Sequence, residues 1–213
     1  MATRNAGKVR ELRDLLQGLG IELLSLADFP DLPEIPEEGA NFAENAGFKA
    51  KEVARLTHLP ALADDSGLEV AALGGRPGVF SARYAQDRAQ AGVPSDADNW
   101  RKLLSEMQGV PWEERGARFV CAIALTLPDG RIFTAHGECP GYIALEPKGE
   151  HGFGYDPVFW VPEFERTMAE LGPEVKNRLS HRARALAALK EILLALRPEL
   201  ISYGKSRDVA QPG

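Results

Sequence analysis

Apolar residues recur along this chain with two periods. Val9, Leu12, Leu15, Leu16 and Leu19 fall on one stripe at about 100° per residue, which predicts a helix over residues 6–17. Gly18 and Gly20 stop it. Residues 21–25 read as a short strand, and 28–40 as a loop rich in Pro, Asp and Glu. A second helix is predicted over 41–57, with Asn41 and Glu44 in capping-box spacing. Residues 59–65 form a buried strand, and 68–73 are expected to pair back against it after a turn at Ser66-Gly67. Residues 74–78 are a loop and 99–107 a helix. The apolar run 118–127 reads as a strand that Pro128-Asp129-Gly130 turns into a second strand over 131–139. Residues 147–157 are a Gly-rich loop. Pro173 opens a short helix, and Ser180 opens a long one through residue 196. This order predicts an α/β fold on a mixed sheet. Residues 1–201 form one domain, and 202–213 form a polar tail expected to be disordered. Only three residues precede the first helix region, so a strand before it is either a stub or begins upstream.

Composition narrows the function. At 213 residues, 44% hydrophobic and 26% charged, the chain is long enough for a real core. A net charge of -6 disfavours nucleic acid or an anionic membrane as a partner, and no apolar run approaches membrane-spanning length. Cys121 and Cys139 form no CxxC, which points to a reducing compartment, a cytoplasmic location and no zinc site.

The candidate chemistry begins at Ala63-Asp64-Asp65-Ser66-Gly67. Two carboxylates at the end of a buried strand are costly to desolvate unless a metal ion, a lysine or an arginine pairs with them. Read alone, they serve equally well as turn caps. Lys49 lies in the middle of the apolar stripe of Phe42, Ala46, Val53 and Leu56. It must snorkel out or reach a buried acid or an anionic ligand. Lys8 stands in the first turn of the first helix, with Thr3 and Asn5 just ahead of it. That is an ordinary cap or an anion site; it lacks the spacing of a Walker loop. Ser180-His181-Arg182 puts cations at a helix start, against the helix dipole, which a docked anion would reverse. Phe153-Gly154-Tyr155-Asp156-Pro157 offers a ring to stack on a flat ligand and an acid to meet a base edge. Together these residues suit a nucleotide polyphosphate carried with Mg²⁺.

The same motifs resemble the inosine/xanthosine triphosphate pyrophosphatase family, also called the Ham1 family. The likeness runs from Thr3 to about residue 196. It includes Thr3-x-Asn5-x-x-Lys8, Glu44-Asn45-Ala46-x-x-Lys49, the Asp64-Asp65-Ser66-Gly67 run, Pro77-Gly78-Val79-Phe80-Ser81-Ala82-Arg83-Tyr84, Phe153-Gly154-Tyr155-Asp156 and Ser180-His181-Arg182. The resemblance implies an elongated central sheet flanked by helices, two lobes with a cleft between them, and a homodimer. It implies Mg²⁺-dependent hydrolysis of ITP, dITP and XTP to the monophosphate and pyrophosphate, which cleanses the nucleotide pool. Carried over by position, Asp65 is a Mg²⁺ ligand and activates water, and Glu37 shares the metal. Thr3, Asn5, Lys8 and Lys49 hold the triphosphate, and Ser66 contacts the nucleotide. Phe153 stacks on the base, with Gly154 and Tyr155 in the same binding loop. Asp156, Lys176, His181 and Arg182 read the base edge. Arg4 departs from the glycine common at its position.

On a strand, neighbouring side chains face opposite ways. Asp64 and Asp65 are therefore expected to be unequal partners: Asp64 supports the turn or contacts a neighbouring strand or loop, while the resemblance implies Glu37 as the partner of Asp65. Two rival functions are a pyrophosphatase for modified pyrimidine nucleotides and a nucleotide-binding module without turnover. The base-loop motifs disfavour the first, and the acid pair disfavours the second.

Overall fold

The computed structural model describes residues 1–33, 35, 39–88 and 92–209, with the side chains of Leu15 and 204–209 outside that description. Helix α1 spans Ala6–Leu16, and Asn5 caps it by accepting the amides of Gly7 and Lys8. Helix α2 spans Phe42–Thr57. Half of the expected capping box forms: Asn41 Oδ1 accepts the Glu44 amide at 2.9 Å, while the Glu44 carboxylate takes the Ala40 amide and the Asn41 side-chain amide. Helix α3 spans Asp96–Glu106, three residues ahead of the predicted start. The reason is a complete capping box, in which Ser95 and Asp98 satisfy each other's amides.

Strand β1 covers Ala61–Val70 without interruption. The expected turn at Ser66-Gly67 is absent. Leu68 and Val70 are wholly buried, and a turn before them would pull both out of the core. Strands β2 (Gly116–Thr126) and β3 (Ile132–Ile143) form the expected hairpin and run longer than the apolar pattern suggested. Two short strands were not foreseen, β4 (Phe159–Val161) and β5 (Arg166–Thr167). The five pair in chain order as an antiparallel sheet, with Tyr142 opposite Trp160 and Trp160 opposite Thr167. Residues 21–25 are not a strand. Their backbone contacts with Met1–Thr3 are few: the Met1 amine donates to Leu24 O, and the Leu26 amide donates to Thr3 O. A ladder needs a longer neighbour than that.

Helix α4 spans Pro173–Leu179 and α5 spans His181–Val209. The last helix continues through Pro198, past the predicted end, so residues 202–209 are helical. Residues 210–213 of the expected tail lie outside the described residues. Among the described residues no helix is long and apolar enough to cross a membrane.

The chain divides into two compact units. The first comprises Met1–Asp65, Ala122–Gly137 and Arg182–Gly213. Its core gathers Leu12 and Leu16 of α1, Ala46, Ala50 and Val53 of α2, Ile123 and Leu125 of β2, and Leu189 and Leu193 of α5. The second unit comprises Ser66–Cys121 and Glu138–His181. Its core includes Leu68, Leu103, Met107, Phe119, Ile143, Tyr155, Phe159 and Met168. Arg115, 3% exposed, donates to the carbonyls of Met107, Val110, Ile143 and Ala144, tying the end of α3 to the end of β3.

Candidate active site

The first unit holds a buried cluster of charges. Asp64 and Asp65 lie inside β1, each at most 6% exposed. Asp64 Oδ2 meets two cations, Lys8 Nζ of α1 at 3.1 Å and Arg182 Nε of α5 at 3.0 Å. Arg182 Nη1 donates in turn to Glu11 Oε2 at 2.8 Å. Lys8 and Glu11 are one turn apart on α1, so both reach the same place. Asp65 has different partners, as alternation along a strand requires. Its Oδ2 accepts from Asn45 Nδ2 at 2.9 Å, and its Oδ1 lies 3.6 Å from Lys49 Nζ. Lys49 also donates to the Asp64 carbonyl at 3.2 Å. Lys49 thus takes the buried-acid option its apolar surroundings left it.

Among the described residues the acids and bases balance. Lys8, Lys49 and Arg182 stand against Glu11, Asp64 and Asp65, three of each sign. Burying such charges is tolerated because every one has a near partner of opposite sign. Lys8 is the most accessible, with 15% of its side chain exposed. Thr3 Oγ1 accepts the Asn5 amide at 3.2 Å, so the predicted phosphate loop is internally bonded around the start of α1. Arg4 points its guanidinium to Leu32 O.

Asn45 also fixes the end of the acidic loop, since its Oδ1 accepts the Gly39 amide at 2.7 Å. A Cβ at residue 39 would lie 2.7 Å from that oxygen, so glycine is required there. Glu37, the predicted second metal ligand, lies outside the described residues. Among the described residues no three His, Cys, Asp or Glu side chains gather as an enclosing metal cage. Mg²⁺ rarely uses one; it takes one or two carboxylates with substrate oxygens. The donor chemistry of Asp65 fits that role.

The second unit holds the aromatic loop. Lys176 Nζ of α4 lies 2.6 Å from Asp156 Oδ2 and 4.5 Å from the centre of the Phe153 ring. Asp156 Oδ2 also accepts the Phe153 amide at 2.9 Å. Asp96 at the start of α3 accepts the Gly154 amide at 2.7 Å. Three further bonds hold the loop's flanks. The Lys148 amide donates to Pro157 O, the His151 amide to Ala169 O, and Thr167 Oγ1 to Lys148 O. Tyr155 turns inward, 4% exposed, and donates to Ser81 O at 2.8 Å. Burial pushes its phenol well above the ordinary range, so it stays a neutral donor. Ser66 is half-buried on β1. His181, 5% exposed, stacks on Phe119 with ring centres 4.9 Å apart.

The predicted residues therefore divide into two groups. Asn5, Lys8, Lys49, Asp65 and Arg182 belong to the first unit, and Phe153, Gly154, Tyr155, Asp156, Lys176 and His181 to the second. The structure brings Arg182 to Asp64 and Glu11, where the sequence reading set it at the base edge. Asp64 has no turn to support; it is the anchor for two cations. Sequence reasoning passed over Glu11, Asn45 and Asp96. The first two carried a signal, being three residues after Lys8 and four before Lys49 on helical faces already read as functional. Asp96 carried none, because its partner is a backbone amide 58 residues away.

Known proteins bear on this arrangement. The model of the Ham1 family matches residues 1–192. The dITP/XTP pyrophosphatase of Geobacter sulfurreducens is 56% identical over 193 residues, 91% of this chain and 94% of that protein. The dITP/XTP pyrophosphatase of Geobacillus kaustophilus is 54% identical over 191 residues, 90% of this chain and 91% of that protein. Among solved structures, a HAM1 protein from Coxiella burnetii superposes with a TM-score of 0.79 at 44% identity, covering 90% of this chain and 95% of that one. Matched along nine-tenths of its length by relatives of this kind, the chain belongs to the Ham1 family.

Proposed function

We propose that this chain is a Mg²⁺-dependent nucleoside triphosphate pyrophosphatase. It hydrolyses ITP, dITP and XTP to the monophosphate and pyrophosphate, and so clears deaminated purine nucleotides in the cytoplasm. The observation that carries this reading is the buried cluster around Asp64 and Asp65, in a chain whose relatives are named dITP/XTP pyrophosphatases. Homodimerisation rests on the family resemblance alone.

The chemistry follows from the residues. Water attacks the α-phosphorus in line, its oxygen bonds to phosphorus, the bridging bond to the β-phosphate breaks, and pyrophosphate leaves. Asp65 receives the proton that the water loses. Asn45 fixes the carboxylate's orientation through Oδ2, which is a positioning role. Asp65, with Glu37, would hold Mg²⁺ together with phosphate oxygens. When bound, the ion neutralises phosphate charge and eases the ionisation of water. Lys8 and Lys49 meet the triphosphate. Both already have carboxylate partners, so a substrate bringing its own countercharge disturbs the cluster least. Phe153 supplies the stacking face. Lys176, beside Asp156, presents a donor to a 6-keto purine, where adenine would place an amino group.

Turnover of ITP in ¹⁸O-labelled water tests the reaction. The label should appear in the monophosphate, with pyrophosphate released with Mg²⁺ and not with EDTA. Label in orthophosphate with a diphosphate product would overturn the assignment. Asp65→Asn should lower kcat about 1000-fold or more while the circular dichroism stays that of a folded chain; Tm falls by several degrees, about as for any member of the buried cluster, because Lys49 loses the Asp65 charge.

A further inference from the structure

Phe153, the ring assigned to stack on the base, stands between two peptide groups that are both held. Its own amide donates to Asp156 Oδ2 at 2.9 Å. The next amide, that of Gly154, donates to Asp96 Oδ2 at 2.7 Å. A peptide group is planar, so holding the planes on either side of Phe153 restrains its two backbone dihedrals and the direction of its Cα–Cβ bond. The first bond is made from within the loop, and the second comes from α3. Gly154 has a φ of +63°, and nothing beyond its chain neighbours lies within 4 Å of where a Cβ would stand. Packing therefore leaves this peptide room to turn, and the bond to Asp96 stops it.

Asp96 is mounted on a helix that is itself anchored. It opens the face of α3 on which Asn99 and Leu103 follow at helical spacing, and both of those are buried. Asn99 Oδ1 accepts the Ala85 amide at 2.8 Å, and its Nδ2 donates to Ala82 O at 3.1 Å. Just past the far end, Met107 is wholly buried and its carbonyl accepts from Arg115 at 2.9 Å. The cap of α3 does not need Asp96. Ser95 Oγ accepts the Asp98 amide at 3.2 Å, and Asp98 Oδ2 accepts the Ser95 amide at 3.0 Å. The Asp96 carboxylate is exposed, and its Oδ2 serves the loop instead.

We propose that Asp96 is a positioning residue for base binding: by holding the Gly154 amide it sets the direction in which Phe153 presents its ring. The inference rests on the pyrophosphatase reading given above. Asp96 touches neither substrate nor reacting atoms. Without it, the peptide after Phe153 turns freely, and the ring has to be ordered when the base arrives. That cost falls on binding and not on the attack at phosphorus. A carboxylate acceptor makes the tether stronger than a neutral one would.

The test compares the parent, Asp96→Ala and Asp96→Asn. Asp96→Ala loses the acceptor and should raise KM for ITP about five-fold, with kcat within about two-fold of the parent. Asp96→Asn keeps an acceptor oxygen without its charge, so its KM should rise about two-fold at most. Inorganic triphosphate, which has no base to stack, should inhibit all three chains with Ki values equal within about two-fold. Exchange of the Gly154 amide, read by NMR, should be about ten-fold faster in Asp96→Ala. Its Tm should stay within about 3 °C of the parent, because the cap is intact. Unchanged exchange at Gly154, or faster exchange with an unchanged KM for ITP, overturns the proposal and leaves the pyrophosphatase reading standing. So does an equal loss for ITP and inorganic triphosphate, or an Asp96→Asn chain as impaired as Asp96→Ala. A parent chain that does not hydrolyse ITP overturns the pyrophosphatase reading itself, and the role of Asp96 falls with it.

Discussion

Gly152 lies against the carboxylate of Asp156. Its φ is +84°, a region that favours glycine, and a Cβ there would come within 2.0 Å of Asp156 Oδ2. Gly152→Ala must therefore displace the oxygen that holds both the Phe153 amide and Lys176. The expected result is at least a ten-fold rise in KM for ITP with a smaller change in kcat, read from initial rates. Glu11 acts at one remove. Removing its charge takes from the buried Arg182 one of its carboxylate partners. Glu11→Gln should cost about 2 kcal/mol, or about 6 °C in Tm for a chain of this length. A thermal melt checks it, and an unchanged Tm would mean that Glu11 is not part of a coupled cluster. At this scale the chain was readable where a residue contradicted its own helix. Lys49 on an apolar stripe announced a buried acid. Arg182 announced an anion at a helix start, but not whose. Its partners are Asp64 and Glu11, which are 118 and 171 residues away in sequence, and no local pattern carries that.

Periodicity placed α1, α2 and α3 well, because each buries one face and carries a side-chain cap at its start. It failed where neighbours decide. The Asp-Asp-Ser-Gly run reads as a turn from composition, yet β1 continues through it because Leu68 and Val70 have a core to enter. Strands β4 and β5 are three and two residues long, too short to show alternation, and exist through their pairing, β4 with β3 and β5 with β4. Residues 21–25 have strand composition but only a three-residue stub beside them. That stub makes a pH-dependent contribution. The Met1 amine titrates near 8.0 when unfolded and near 6 when folded. Between those values the unfolded chain binds the extra proton, so folding stability is full above pH 8 and falls as the pH drops toward 6. Two pH units correspond to about 2–3 kcal/mol. Urea denaturation of the free and N-acetylated chains should show that difference in slope between pH 6 and 8. Parallel curves would mean that the amine is solvated.

The molecule as a whole carries a net charge of -6, and among the described residues its buried cluster balances three cations with three carboxylates. Neither attracts a polyanion from a distance. Lowering the salt from 150 to 20 mM should therefore not raise kcat/KM for ITP, whereas an electrostatically steered enzyme would gain several-fold. The composition made this legible at once, although it said nothing of how the charges pair. One consequence concerns the aromatic loop. Its backbone is tied at Phe153 to Asp156, at Gly154 to Asp96 of α3, at Lys148 to Pro157 and at His151 to Ala169. A surface bound at so many points does not remould itself around a guest. On the proposed function, selection there would resemble a gauge more than a glove: a base of the wrong outline would be turned away on first contact, before any rearrangement is spent on it.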